Sequence, residues 1–462
     1  MKKITLILPR FKYPSGDYSL GLAYIGSYLK KNIKDLKISL IDATYHPNFK
    51  YIKGKLQKFK PDITGIYVDT LMFEDAIKVA KICKEFNINV IFGGPHPTIM
   101  PESTIKIKEV DAICIGEGEV PFKEYVEEFY KKKEFKKVRG IWFKKDKKII
   151  KNLPQLVIKK LDKIPFPAIE LYEIENYIQN FIQLDSYKPN LRGLGIIASR
   201  GCPFQCSYCQ PTLKCIFGAK LRIRSPRNVV DEIKIIKKMY KLDAIYFQDD
   251  TLTAFKKWMN EFCEILIKEK VGIIWACNTR ADTYDLKMLK IMKKAGLVKL
   301  KVGIESITDR IRNGIYKKNV SKEQINNLIK DANKVGIQVA GFFMLGAPTE
   351  TIKEIKDTIK FAVNSNLMEA NFSITTPLPK TTLWDLAKEE GWKTPKRFSD
   401  YDYYKAVRPS MAKEDIKKDK LERLRKIAVL LFFLHPKRSI KIILSLFTST
   451  GIKRLLLKLK RF

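Results

Sequence analysis

Ser199-Arg200-Gly201-Cys202-Pro203-Phe204-Gln205-Cys206-Ser207-Tyr208-Cys209 places three cysteines within eight positions, at a C-x3-C-x2-C spacing. Thiolates so close on one loop suit an iron–sulfur cluster, because a single segment can cap several corners of a cube. Three cysteines leave a fourth iron open to the nitrogen and oxygen atoms of a ligand, which simple electron transfer does not need. The alternative is a zinc knuckle, which wants a fourth ligand. Cys215 is the nearest candidate, and no histidine lies anywhere near in sequence.

The stretch follows a strand-like run and opens a second, regular alternation. Strands are expected at Leu194–Ser199, Ala244–Gln248, Ile273–Thr279, Lys299–Ile304, Gln338–Leu345 and Ala370–Thr375, with helix-length segments such as Val229–Tyr240 and Lys322–Val335 between them. Six such units fall short of the eight that close a barrel. The reading is an open, partial (β/α)6 TIM barrel whose site lies at the carboxyl ends of the strands, where the cysteines fall.

Upstream, the first ~130 residues carry another parallel rhythm. Strands are expected at Ile4–Leu8, Ile38–Asp42, Ile63–Val68, Val90–Gly93 and Ala112–Gly116, with helices over Leu20–Lys30 and Phe73–Phe86. This reads as a five-stranded flavodoxin-like (Rossmann-like) α/β domain, with unusual turns at its strand ends: Asp69-Thr70, Gly93-Gly94-Pro95-His96-Pro97 and Gly116-Glu117-Gly118-Glu119. Between the two lies a Lys run, a hairpin at Gly140–Ile150 and a Pro-punctuated connector. The expected domains are 1–135, a linker 136–192, the barrel 193–392 and a helical basic extension 393–462.

Composition bounds the function. The 462 residues hold eight cysteines, too sparse for a disulfide framework, and three histidines, His46, His96 and His435, too few for clustered-imidazole sites. No stretch reaches ~18 consecutive apolar residues, and Met1-Lys2-Lys3 runs straight into a strand, so a cytoplasmic protein is expected. The net charge of +38 invites a nucleic-acid reading, yet most of it is spread over helices. One part is localised: residues 423–462 hold eleven basic residues and no acidic one. Ile440–Phe447 and Ile452–Phe462 interleave apolar and basic residues, compatible either with peripheral contact at the inner face of a membrane or with a helix packed on the barrel.

The cysteine spacing, with aromatic Tyr208 before the third cysteine, resembles the radical S-adenosylmethionine superfamily over the whole barrel. The resemblance implies a [4Fe–4S] cluster on Cys202, Cys206 and Cys209 and S-adenosylmethionine contacts at Tyr208, Asp249, Asp250, Arg280, Glu305, Ser306, Met344, Gly346 and Pro377. Asp249-Asp250 departs from the common Gly-Gly-Glu form, and a helix N-cap pair is the competing reading. Arg280 and Glu305 are charges that are expensive to bury unless a zwitterionic ligand pairs with them. Cys215 and Cys277 read as small buried thiols rather than nucleophiles.

The domain order, with Gly93-Gly94-Pro95-His96-Pro97-Thr98 and Gly116-Glu117-Gly118-Glu119 in front, resembles the cobalamin-binding branch of that superfamily. This implies cobalamin at Asp69, Thr70, Gly93, Gly94, His96, Gly116, Glu117 and Gly118. The Asp-x-His-x-x-Gly cobalt-ligand motif is absent, and Pro9–Tyr18 has no histidine. The implied reaction is reductive cleavage of S-adenosylmethionine to a 5′-deoxyadenosyl radical and methylation of an unactivated carbon, of a small molecule or a lipid or isoprenoid, with a ferredoxin- or flavodoxin-type reductant. Radical cyclisation or carbon–carbon coupling is the alternative. tRNA methylthiolation is disfavoured, since the front domain has only Cys83 and Cys114, and nucleic acid is not an expected partner. A non-catalytic iron–sulfur or cobalamin sensor is a further alternative.

Overall fold

In a computed structural model of the chain, residues 1–9, 17–46, 48–131, 134–393, 395, 397–405, 418–436 and 438–439 are described. They fall into two compact units, one within Met1–Asn176, Thr212–Ile223 and Lys396–Tyr401, the other within Tyr177–Pro211, Arg224–Pro395 and Asp402–Phe462.

The first unit is built on strands β1 (Lys2–Leu8), β2 (Leu36–Asp42), β3 (Ile63–Tyr67), β4 (Asn89–Gly93) and β5 (Ala112–Cys114), parallel in the order 2-1-3-4-5. That is the flavodoxin-like order expected. Near-continuous apolar runs such as Ile4 to Leu8 are buried, as strands covered on both faces require. The helix Leu20–Asn32 starts at a Ser19 cap and Phe73–Glu85 packs Ala76, Val79, Ala80 and Cys83 inward.

The sheet has seven strands rather than five. The expected hairpin forms as β6 (Ile141–Lys145) and β7 (Lys148–Lys151) and adds antiparallel to β5. Ile141 and Phe143 alternate into the core, and Asp146 and Lys147 both take positive φ in the two-residue turn. Residues read as part of a connector therefore belong to the sheet; two buried side chains in β6 and none in β7 make too weak a pattern to attach the hairpin from sequence.

The second unit continues with β8 (Gly193–Ile196), the short β9 (Ser199–Arg200) and, in the first unit, β10 (Arg222–Ile223). Then come β11 (Ala244–Phe247), β12 (Ile274–Thr279), β13 (Leu297–Glu305), β14 (Gln338–Leu345) and β15 (Glu369–Ile374). Strands β8 and β11 to β15 form one parallel six-stranded sheet, ordered 15-14-13-12-11-8, the open partial barrel expected. Helices such as Pro226–Tyr240, Lys322–Lys334 and Ile352–Asn364 cover its outer face. The last two begin with full capping boxes, Ser321 with Gln324 and Thr351 with Glu354.

After the barrel, helix Lys418–Leu434 packs Leu421, Ala428 and Phe432 inward. Among the described residues no helix is long and apolar enough to cross a membrane. The two basic-apolar segments at 440–462 lie outside the described residues, as do 10–16 of the first loop.

Candidate active site

The three cysteines are free thiols on the loop that leaves β9, Cys206 buried and Cys202 and Cys209 half-buried. The loop is pinned at its entry and at its middle. At its entry the Asp249 carboxylate, fully buried, accepts from the Ala198 N–H at 3.0 Å and from the Ser199 N–H and hydroxyl. At its middle, Ser207 donates its N–H to Tyr316 O at 3.0 Å and its hydroxyl to Ile315 O at 2.7 Å. The N–H groups of Cys209 and Gln210 both donate to Cys206 O. Burial raises the thiols of Cys202 and Cys209, so metal binding must displace their protons.

Asp249 therefore holds backbone. It caps no helix, because the following helix, Lys256–Lys268, begins after Phe255 without a side-chain cap. Burial pushes the Asp249 carboxyl up to about 6 against four donors that pull it down, the Ser199 hydroxyl and the N–H groups of Ala198, Ser199 and Asp249. Asp250 reaches solvent, yet it is hemmed in by protein and lies beside Asp249, and the two causes push it up to about 7.

Half-buried Tyr208 of the loop joins two buried charges in a triad. Glu305 Oε1 accepts from the Tyr208 hydroxyl at 2.9 Å and from Lys318 Nζ at 3.0 Å, and Lys318 Nζ is 3.1 Å from the Tyr208 oxygen. Glu305 ends β13 at a positive φ of 62°, where the register with β14 shifts. Gly303 makes room: a Cβ there would lie 2.3 Å from Glu305 Oε1 and 2.7 Å from Lys318 Nζ. Lys318 escaped the sequence reading, one lysine in a Lys-rich connector with no motif around it.

Arg280 also has its own partners. Its guanidinium grips Asp282 at 2.9 and 2.8 Å, donates to Lys318 O at 2.7 Å, lies 3.6 Å from the Phe204 ring centroid and points Nη1 at Cys206 Sγ, 3.7 Å away. The expectation that Arg280 and Glu305 need a zwitterionic ligand to be buried is thus corrected, since Asp282 and Lys318 neutralise them within the fold. Ser306 is fully buried and faces helix Ile352–Asn364, its hydroxyl 3.2 Å from Thr358 Oγ1, so it belongs to packing. Met344 packs beside Tyr316 and Tyr208, the Gly346 N–H donates to Glu350, and Pro377 is half-buried just past β15. Cys277 is fully buried, as expected; Cys215 is exposed, against expectation.

At the carboxyl edge of the first unit, Asp69 caps a turn, accepting from the Leu71 and Met72 N–H groups at 2.9 Å. Thr98 ties the two glycine turns together, accepting from the Gly116 N–H at 3.0 Å and donating to Gly94 O at 2.8 Å. Gly94 has φ 111°, and a Cβ would sit 2.9 Å from Val68 O, so only glycine fits. Gly93 and Gly116 leave bare backbone beside it. Gly118 packs on Ile25.

Glu117 is not open to a cofactor. It is buried in a bidentate ion pair with Arg222, at 2.9 and 3.1 Å. His96 is wholly buried between Phe73 and Phe398, with Nδ1 3.2 Å from Thr70 Oγ1 and Nε2 without a partner among the described residues; burial pushes it down to about 3, so it is neutral.

The donor sets fit two cofactors. Three free thiols on one pinned loop, with an arginine N–H aimed at one sulfur, suit a [4Fe–4S] cluster. The side-chain-free edge at Gly93, Gly94 and Gly116, with an orphaned imidazole nitrogen behind it, suits a large cofactor rich in polar peripheral groups.

Comparison with known proteins agrees with both. Residues 196–362 match the family model of the radical SAM superfamily and residues 14–126 that of the B12 binding domain. The chain is 34% identical over 427 residues to "Uncharacterized methyltransferase PH0819" of Pyrococcus horikoshii, covering 91% of this chain and 89% of that one. It is 30% identical over 399 residues to the anaerobic magnesium-protoporphyrin IX monomethyl ester cyclase of Rubrivivax gelatinosus, covering 84% and 69%. In fold it is similar to the cobalamin-dependent S-adenosylmethionine radical enzyme OxsB with aqua-cobalamin and S-adenosylmethionine bound, with a TM-score of 0.67 at 19% identity, covering 84% of this chain and 55% of that one. With its cysteine loop at the mouth of a partial barrel and a glycine-edged parallel sheet in front, the chain belongs to the cobalamin-dependent radical S-adenosylmethionine methyltransferase family, whose members work with a [4Fe–4S] cluster, S-adenosylmethionine and cobalamin.

Proposed function

We propose that this enzyme methylates an unactivated carbon of a small-molecule substrate. The carrying observation is the pinned Cys202–Cys209 loop beside the Tyr208, Glu305 and Lys318 triad. When bound, the cluster supplies the electron that cleaves S-adenosylmethionine, and cobalamin supplies the methyl carrier. The chain's own residues position and neutralise. Asp249 and Ser207 fix the loop, so that the thiols are held in place before metal arrives. Arg280, through its N–H toward Cys206 Sγ, offsets the negative charge of a thiolate set. Lys318 and Glu305 neutralise each other and together hold the Tyr208 hydroxyl, which fixes the residue just before Cys209. The reductant is a low-potential carrier of the ferredoxin or flavodoxin class.

The test is anaerobic reconstitution and turnover with methyl-labelled S-adenosylmethionine. The expected outcome is 5′-deoxyadenosine together with label in the product. A second reading, radical cyclisation, is favoured by the 30% identity to the cyclase. It predicts 5′-deoxyadenosine and an unlabelled product two hydrogens lighter than its substrate.

A further inference from the structure

We propose that the short helix Thr212–Phe217 is a wall of the cobalamin site in the first unit, and that Arg222 is the positioning residue that keeps it there through Glu117. Seating of the cofactor is the same whether methyl transfer or cyclisation follows.

The chain enters this segment three residues after Cys209, yet Thr212–Ile223 belongs to the first unit rather than to the barrel. There the helix lies against both glycine turns of the carboxyl edge. It packs on the short helix Pro95–Ile99, which follows Gly94 and carries His96 and Thr98. It also borders the second turn. Among the described residues, the one heavy atom within 4 Å of where a Gly116 Cβ would lie, its chain neighbours aside, is Ile216 O, at 3.6 Å. Ile216 stands in the last turn, whose carbonyls find no partner further along the helix. Bare backbone at Gly116 is thus rimmed by a hydrogen-bond acceptor, which suits a cofactor whose periphery carries amide N–H groups.

A helix of six residues does not hold itself in place, because so short a piece barely repays its nucleation. Arg222 supplies the fixing. Its Nη1 donates to Glu117 Oε2 at 2.9 Å and to Ile158 O at 2.7 Å, and its Nη2 donates to Glu117 Oε1 at 3.1 Å and to Phe217 O at 2.8 Å. One planar fork therefore joins three pieces of backbone that are distant in sequence: the residue after Gly116, the connector at Ile158 and the last residue of the helix. Glu117 reinforces the junction by accepting from the Ile158 N–H at 3.1 Å. Gly218 turns the chain back toward Arg222. It takes φ 79°, its N–H donates to Lys214 O at 2.9 Å, and a Cβ there would lie 3.0 Å from Val157 Cγ1. Glu117 thus acts on the cofactor from behind, by holding the wall that stands over Gly116.

The experiment uses the full chain with its cluster reconstituted anaerobically and no cobalamin added, and hydroxocobalamin is the probe. Its binding is followed by absorbance, and hydrogen exchange of the peptide spanning 212–223 is followed by mass spectrometry. In the wild type, hydroxocobalamin should slow exchange across that peptide by about fivefold or more, as it stabilises the backbone it covers. Arg222→Met should weaken hydroxocobalamin by about tenfold or more while iron content and S-adenosylmethionine affinity stay within about twofold of wild type. Arg222→Lys keeps the charge without the fork and should fall between the two. Unchanged hydroxocobalamin affinity in Arg222→Met overturns the proposal, and so does an equal loss of iron, S-adenosylmethionine and hydroxocobalamin, which a merely structural role would give. If Arg222→Met does not fold, Arg222→Lys and the wild-type exchange decide: exchange that hydroxocobalamin leaves unaltered across 212–223 overturns the proposal.

Discussion

At the scale of single residues, chemistry and packing share the same side chains. Cys202, Cys206 and Cys209 have no second thiol set to fall back on, so replacing any one with Ala should reduce iron from about four per chain to near background and abolish 5′-deoxyadenosine formation, read by iron analysis and chromatography. Lys318 neutralises a buried carboxylate. Lys318→Met leaves Glu305 charged and unpaired and should cost about 3–5 kcal/mol, measured by denaturant unfolding of the apo protein; adding Glu305→Gln to it should restore most of the loss. His96 gives a pH signature. Its folded value of about 3 lies below the unfolded value of about 6.5, so the unfolded chain takes up the proton first. Stability is intact above about pH 6.5 and falls as pH drops from there toward 3, by roughly 2 kcal/mol at pH 5. His96→Phe should flatten that part of the unfolding profile.

At the scale of elements, the connector after β13 does more than join a strand to a helix. Its π-helical turn, Arg310–Ile315, buries Arg312, which donates to the carbonyls of Ser306, Ile307 and Val320 and pairs with Asp309. π-Helical turns often mark functional segments. The same connector supplies Tyr316 O and Ile315 O to the cysteine loop and Lys318 to Glu305. Arg312→Ala should therefore weaken S-adenosylmethionine binding as well as stability, by roughly tenfold or more, with a smaller loss in Arg312→Lys; equilibrium binding to the reconstituted protein reads it. Spacing found the strands and helices here because their period is local, but it could not find this connector's role, which depends on carbonyl directions set by one buried guanidinium. The basic extension shows the same limit. Arg438, one of its charges, is buried and donates to the carbonyls of Val363, Ser365 and Leu367 at the end of helix Ile352–Asn364. That charge serves packing rather than a membrane.

At the scale of the whole molecule, two α/β units divide the labour by their edges. Each places its unusual residues at the carboxyl ends of parallel strands, where helices begin and backbone N–H groups are unpaired. The charge of +38 is distributed over this frame, so association with nucleic acid should be weak and lost at about 0.2 M salt, a point that filter binding would check. The sequence by itself determined the cysteine set, the six-unit barrel, the parallel front sheet and the glycine turns, because thiol spacing, hydrophobic period and the need for positive φ are all written locally. Only the tertiary structure decided which charges are already satisfied. Glu305, Arg280 and Glu117 looked open to ligands until Lys318, Asp282 and Arg222, distant along the chain or unmarked by any motif, were seen to neutralise them. The free energy of a buried charge depends on what lies within a few ångströms in space, and that neighbourhood is set by strand register and loop path rather than by separation along the chain.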